Sequence, residues 1–434
     1  QLDRAIQIVS DLENDGDPNT RVHVISLTMG ANDVFPVLKG PKCFSNPVGV
    51  ACEAELDSAV VLFEQNQIGW GASTRNGGMT LTGLKLSPEQ LIKKYGLSEA
   101  RKYYQASLDA IDFTEKFIIE ENLDCDYRRS GALWAAYTPG HYKTLKESQE
   151  LLQKTFNHET YLVPVDKIKT ELGSDYYHGG LVDPLSAGLN PAKYVAGLLE
   201  KALASGVKIF EQTPVEKFDK NASGFRIHTS RGSVRADHLV AATNGYTPSR
   251  LPWLRRRIIP ISSYIIATEP LADAVADEII PKNRMVYDSK KYLSYFRLTP
   301  DRRLLFGART SFAGQDNRTA AAILQRWTYD VFPQLQGVKI DYYWSGYVGF
   351  TFDQMPHMGV NDGLYYAMGY CGHGVAPGLY FGNHLARLIS GQKTDLPFVN
   401  LDYPKTLLYR KRAWFLPLVG LYYKMVDHMA GRER

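Results

Sequence analysis

No stretch of this 434-residue chain is long and apolar enough to cross a bilayer as a helix. Its start also lacks the charged-then-apolar layout of a secretory leader. Cysteine is scarce. Cys43, Cys52, Cys125 and Cys371 have no CxxC spacing, which argues against a disulfide scaffold or a zinc ribbon. Net charge is small, and +4 does not argue for nucleic acid. There is no HExxH and no EF-hand loop, so no metal site is expected. No GxSxG elbow and no P-loop appears. These absences lead to the expectation of a cytoplasmic protein without metal, nucleic acid or transmembrane segment. One more absence is local. Residues 1–59 contain no GxGxxG; Gly30, Gly40 and Gly49 stand alone.

What is present is an ordinary globular composition, 44% hydrophobic and 22% charged, which rules out a disordered chain. The length exceeds what one core normally serves, so two domains, interleaved in sequence, are expected. "RVHVISL" reads as a strand. The stretch that follows it is broken by Pro36, Pro41 and Pro47. "AVVLFE" has the compact apolar signature of a buried strand. Residues 88–123 and 140–157 read as helices, with "LWAAYT" as a strand between them. "NPAKYVAGLLEKALASGVKIFEQTPV" reads as helix, glycine stop, strand, with Pro191 in the first turn and Gly206 at the stop. "GFRIHTSRGSVRADHLVAAT" reads as a hairpin feeding a buried strand. "IPISSYIIATEP" and "YLSYFRLTPDRRLLFGART" alternate in the manner of an antiparallel sheet. The expected fold is α/β with α+β character. A Rossmann-like sheet is assembled from separated segments, and an antiparallel sheet is interleaved with it.

Three strand ends carry chemistry-bearing residues. Glu64 closes "VVLFE", where a carboxylate can accept both hydroxyls of a ribose; an exposed strand-end acid is the plain alternative. "GWGASTRNGG" follows. Its small residues permit close approach to a flat ligand, Ser73 can bond phosphate oxygens, and Arg75 can offset anionic charge. "AATNGY" ends a second strand. "GYCGHGVAPGLYFGNHLARLISG" reads as a glycine loop opening a helix near Gly374, with Pro377 in its first turn. Such a helix end favours a group that gains negative charge during reaction. Packing alone is the competing use of this loop. Cys371 beside His373 invites a thiol–imidazole reading, but a packing role suits that cysteine better. Tyr264, Tyr295, Phe296, Trp344, Tyr347 and Phe350 serve either a pocket or a sheet core.

Taken together these segments resemble the D-amino-acid-oxidase-type FAD-dependent oxidoreductases, in the branch similar to gamma-glutamylputrescine oxidase. The matching runs are "VVLFEQNQIGWGASTRNGG", "GLVDPLSAGLNPAKYVAGL", "LVAATNGYTPSRLPWLRRRIIPISSYIIATEP", "YFRLTPDRRLLFGAR", "WSGYVGFTFDQMPHMG" and "GYCGHGVAPG", in family order over residues 60–391. The resemblance implies FAD, an amine substrate and oxidation of a C–N bond by hydride transfer, with dioxygen as acceptor and peroxide as product. It places Glu64 on the adenosine ribose and Ser73, Arg75, Asn76, Gly77 and Gly78 along the pyrophosphate and flavin. Val215 meets the adenine through its backbone. Thr243, Asn244 and Gly245 lie on the phosphate and ribityl side, and Gly372, His373, Gly374 and Val375 face the flavin pyrimidine edge. His373, Arg75 and Tyr295 are the candidate catalytic residues, with no general base assigned. Relatives that bind flavin covalently use a cysteine near the segment matching "TFDQMP". "WSGYVGF" has none, so FAD is expected to bind non-covalently.

The resemblance also implies a discontinuous FAD-binding domain over 1–85, 150–255 and 345–400, atypical in 1–59. Residues 86–149 and 256–344 then form a substrate domain, and 401–434 a basic amphipathic tail. That tail is expected to dock as a helix, with contact to a membrane surface as the alternative. The absent GxGxxG leaves a second reading open. In it the chain is a cofactor-poor relative of the enzymes, serving as a scaffold or binding protein.

Overall fold

A computed structural model describes residues 21–27, 58–222, 224–312, 314–406, 409 and 413–431. Cys43, Cys52, the stretch holding Pro36, Pro41 and Pro47, and the tail residues Arg410, Lys411, Arg412, Arg432 and Arg434 lie outside the described residues. The chain divides into two units. The first comprises Gln1–Thr74, Tyr194–Ile259 and Gly349–Lys411; the second comprises Arg75–Lys193, Pro260–Val348 and Arg412–Arg434. Each is discontinuous, and the expected mixture of an α/β sheet with an interleaved antiparallel sheet is what forms.

The sheet of the first unit runs, edge to edge, His357–Asn361, Leu364–Met368, Gly232–Ala241, Arg21–Leu27, Ser58–Phe63, Lys208–Phe210. "RVHVISL" is indeed a strand, and it pairs in parallel with both Ser58–Phe63 and Gly232–Ala241. Leu364–Met368 and Lys208–Phe210 extend the parallel set on either side. Strands covered on both faces read as continuous apolar runs, and "VVLF" and "LVAA" do so here. Val61, Phe63, Leu239 and Ala241 are buried in one core with Tyr366, Met368 and Leu254. The segment expected to form a hairpin feeding a buried strand does so, Gly224–Thr229 pairing with Gly232–Ala241, and Val215–Asn221 adds a third strand.

The second unit is built on an eight-stranded, mostly antiparallel sheet, in which Met285–Asp288 and Ala132–Ala135 pair in parallel. "TPDR" turns the hairpin of Ser294–Leu298 and Leu304–Ala308. Phe296, Phe306, Ile266, Leu133 and Phe332 fill its core. The expected helix at 88–123 is Pro88–Glu120, opened by a capping box between Ser87 and Gln90 and kinked at Gly96, where φ is 79°. The expected helix at 140–157 is Pro139–Phe156, ended by Asn157 in the left-handed region.

Candidate functional site

In the first unit the five parallel strands end along one edge. The chain passes from Arg21–Leu27 to a neighbour on one side and returns to a neighbour on the other. Such a reversal opens a crevice at the carboxyl ends, where open α/β sheets bind ligands.

Glu64 sits at that edge and is 1% exposed. Its N–H donates to the Phe210 carbonyl at 2.9 Å, and its own carbonyl accepts from the Thr213 N–H at 2.8 Å. Its carboxylate accepts the Asn66 N–H at 2.7 Å. The acid is therefore fixed in direction, and the plain reading of an exposed strand-end acid is excluded. Val215, reached two residues after Thr213, is buried at the start of its strand. Ser73 is buried in the one-turn helix Ala72–Arg75.

The next strand end carries Thr243, Asn244 and Gly245, all buried. The Asn244 side-chain oxygen accepts the Gly369 N–H at 3.0 Å, tying the second strand end to the third. A Cβ on Gly349 would meet that oxygen at 2.2 Å, so only glycine fits there. The Cys371 N–H in turn donates to the Gly349 carbonyl at 3.1 Å. The loop leaving the third strand has positive φ at Gly369 (82°), Cys371 (54°) and Gly372 (98°). It delivers the chain to the helix Val375–Ile389, whose N-cap, Gly374, supplies no side-chain cap. The expected start at Gly374 is met, and Gly378 and Gly382 are buried along the helix.

Cys371 is 2% exposed, and its Sγ donates to the Gly369 carbonyl at 3.1 Å and lies 3.5 Å from the Thr351 hydroxyl. That is a packing role. His373 is half-buried, and its N–H donates to the Tyr370 carbonyl at 3.0 Å.

The second unit holds the other predicted residues. The Trp344 indole donates to the Arg75 carbonyl at 2.9 Å, and the Arg75 guanidinium donates to the Ser345 carbonyl at 3.4 Å. Asn76 accepts the Gly78 N–H at 2.8 Å. Gly78 has φ of 66°, and a Cβ there would lie 2.1 Å from the Leu189 carbonyl oxygen. The Tyr295 ring passes between two glycines. A Cβ on Gly77 would meet the ring at 3.0 Å and one on Gly307 at 2.3 Å. The Tyr295 hydroxyl bonds Ser263 at 2.9 Å. Burial raises its pKa, so the phenol is neutral at physiological pH.

Sequence reasoning missed the residue that holds this loop. Arg297 is 5% exposed and donates to three backbone carbonyls, of Gly77 at 2.6 Å, Leu189 at 2.9 Å and Leu298 at 3.2 Å. Burial pulls its pKa down to about 10, which leaves it charged at neutral pH. The available signal was a cation inside the buried alternation of "YFRL". A second unread feature lies under "GLVDPLSAGLNP". The Asp183 carboxylate accepts from Thr82 at 2.7 Å, Ser186 at 2.5 Å and the Leu185 N–H at 2.9 Å, and meets His158 at 3.0 Å. Of the six aromatics, Tyr264, Phe296 and Phe350 are buried, whereas Tyr347 is 44% exposed.

Tested against FAD, the first unit fits at two points. The buried, oriented Glu64 carboxylate offers acceptors suited to a ribose diol. The uncapped helix end behind a positive-φ loop offers N–H groups to an electron-rich ring edge. The place of a GxGxxG loop, after Arg21–Leu27, lies outside the described residues.

Residues 48–388 match the FAD dependent oxidoreductase family, and the chain belongs to it. Among curated relatives it is 35% identical over 382 residues to a probable oxidoreductase OrdL of Haemophilus influenzae, covering 86% of this chain and 88% of that one. It is 31% identical to gamma-glutamylputrescine oxidoreductase of Escherichia coli, covering 87% of this chain and 89% of that protein. The fold is shared with glycine oxidase from Geobacillus kaustophilus, at TM-score 0.72 and 17% identity, over 89% of this chain and all of that one. Iminodiacetate oxidase from Chelativorans sp. BNC1 is similar at TM-score 0.68 and 17% identity, over 88% of this chain and 99% of that one. Among the described residues no helix is long and apolar enough to cross a membrane.

Proposed function

We propose that this protein oxidises the C–N bond of an amine or amino-acid-like substrate, of the gamma-glutamylputrescine kind. The supporting observation is the arrangement at the carboxyl edge of the first unit. There Glu64, Asn244 and the loop at 369–374 are fixed by hydrogen bonds, in a chain 31% identical to an oxidoreductase of that substrate name. Bound FAD would supply the two-electron oxidation, taking hydride from the carbon beside the amine nitrogen. The imine product then hydrolyses to a carbonyl compound, releasing ammonia from a primary amine or an amine from a secondary one, and dioxygen as final acceptor yields peroxide.

Glu64 binds the ribose hydroxyls, and Val215 meets the adenine through its backbone. Ser73 serves the phosphates, and Thr243, Asn244 and Gly245 serve the phosphate and ribityl side. Gly372, Gly374 and Val375 would present N–H groups and the helix end to the pyrimidine edge, with His373, whose N–H is held by the Tyr370 carbonyl, lying beside them. That stabilises developing negative charge without reorganisation. In the second unit, Asn76, Gly77 and Gly78 form a cofactor-facing loop held by Arg297. Arg75 offsets anionic charge, and neutral Tyr295 positions substrate. Most of the proposed FAD-binding residues thus lie in the first unit.

The test is a peroxide assay of the purified protein against gamma-glutamylputrescine, putrescine, N-methylated amines and glycine. Peroxide with the gamma-glutamyl amine above the others is the expected result. Peroxide with glycine alone would replace the substrate assignment. A colourless protein that releases no peroxide with any amine would favour the cofactor-poor relative instead.

A further inference from the structure

The helix Leu416–Gly431 docks on the second unit by one face. A Cβ on Gly420 would meet the Tyr292 hydroxyl at 2.9 Å and Phe312 at 3.3 Å, so glycine permits the close approach. The Asp427 carboxylate accepts the Lys291 and Tyr292 N–H groups, each at 2.8 Å. Tyr423 packs edge-on against Phe312. The docked tail expected from the sequence is therefore present.

Its other face is the unexpected part. Leu418, Leu421, Tyr422, Met425 and Met429 are each more than half exposed, and Trp414 just before the helix is 57% exposed. Their spacing of three, four, seven and eleven from Leu418 places them along one stripe. A surface helix normally turns polar residues to water, and a contiguous exposed apolar stripe marks an interaction surface.

Charge identifies the occupant. Residues 410–434 hold six basic residues (Arg410, Lys411, Arg412, Lys424, Arg432 and Arg434) against two acidic ones, Asp427 and Glu433. That is +4, the net charge of the entire chain, and the residues before 410 carry 44 of each sign. Of the two acids, Asp427 is engaged with backbone N–H groups. A second copy seated on the stripe would bring two such basic tails together. An anionic lipid surface would instead attract the tail and accept the apolar stripe, with Trp414 and Tyr422 suited to the headgroup boundary. The described helix does not qualify as a membrane span, so it would lie in the plane of the surface.

We infer that Leu416–Gly431 is a surface-seeking helix that binds membranes bearing anionic headgroups. The test mixes the full chain with vesicles of phosphatidylcholine alone or with phosphatidylserine added, and sediments them. The protein should co-sediment with the phosphatidylserine vesicles only. Raising salt should weaken binding on the order of tenfold or more, because the basic residues act through a screened field. The double variant Leu421→Asp, Met425→Asp changes only exposed positions. It should keep the wild-type melting curve and lose vesicle binding. Wild-type protein that stays in the supernatant with phosphatidylserine vesicles would overturn the inference, as would a double variant that still sediments. A wild-type dimer that the double variant converts to monomer, with no vesicle binding by either, would assign the stripe to a second copy and also overturn it.

Discussion

Two glycine-bearing loops, residues 369–374 in the first unit and 75–78 in the second, are held by different means. The first is tied by a neutral amide, Asn244, and by one backbone bond to Gly349. The second is tied by a buried guanidinium, Arg297, whose hydrogen bonds go to three carbonyls. A neutral tie carries little desolvation cost and little to lose. A buried charge costs much to desolvate, and replacing it leaves several carbonyls unsatisfied. The second loop should therefore be the more fragile of the two.

The largest expected effect is at glycine itself. Gly78→Ala sets a Cβ 2.1 Å from the Leu189 carbonyl at positive φ, and backbone cannot step aside. We expect a loss of about 3 kcal/mol or more in urea unfolding. Gly369→Ala meets instead the Thr351 methyl, a side chain rather than backbone; turning it aside gives up the hydrogen bond of its hydroxyl to the Met355 carbonyl, so the cost should be smaller, roughly half. Equal losses would break the comparison.

The second effect concerns pH. His384, on the helix Val375–Ile389, has its pKa pulled down to about 4 by burial and then by Arg387. Its folded pKa is below the unfolded value of about 6.5. The unfolded chain then binds the proton more readily, so stability is full above about pH 6.5 and is lost as pH falls toward 4. The loss should reach roughly 3 kcal/mol at the acid end. His384→Gln should flatten the profile of unfolding midpoint against pH. An unchanged slope would remove His384 from the account.

Smaller again is Arg297→Lys, which keeps the charge but not the planar fork that spans three carbonyls. About 2 kcal/mol should be lost in thermal or urea melts. The smallest is Asn244→Ala, which removes the oxygen that accepts the Gly369 N–H and adds no charge. A loss of roughly 1.5 kcal/mol in urea melts is expected, with Asn244→Asp costing more because it buries a carboxylate at a site 1% exposed.

Local physics was legible in the sequence where one segment determined it. "VVLFE" gave a buried strand closed by a buried acid, because apolar runs and strand ends are properties of a few consecutive residues. "GYCGHGVAPG" gave the loop and the helix start at Gly374, because left-handed backbone favours glycine and Pro377 suits a first turn. What stayed hidden depends on distant segments. Tyr295 requires Gly77 and Gly307 on either side, and Asn244 reaches Gly369 across 125 positions. The role of Arg297 is invisible until the backbone carbonyls of Gly77 and Leu189 are brought to it. The Gly96 kink is a different case, because nothing lies within 4 Å of a Cβ built there. Its helical pattern runs through both sides, and only the backbone angles show the break.

The central claim is that this chain is a working flavoenzyme, and one measurement tests it most directly. The purified protein is denatured without proteolysis, and the released flavin is identified and counted against protein. The account predicts FAD, in stoichiometric amount and fully released into solution. A colourless protein that takes up no FAD on incubation would contradict it.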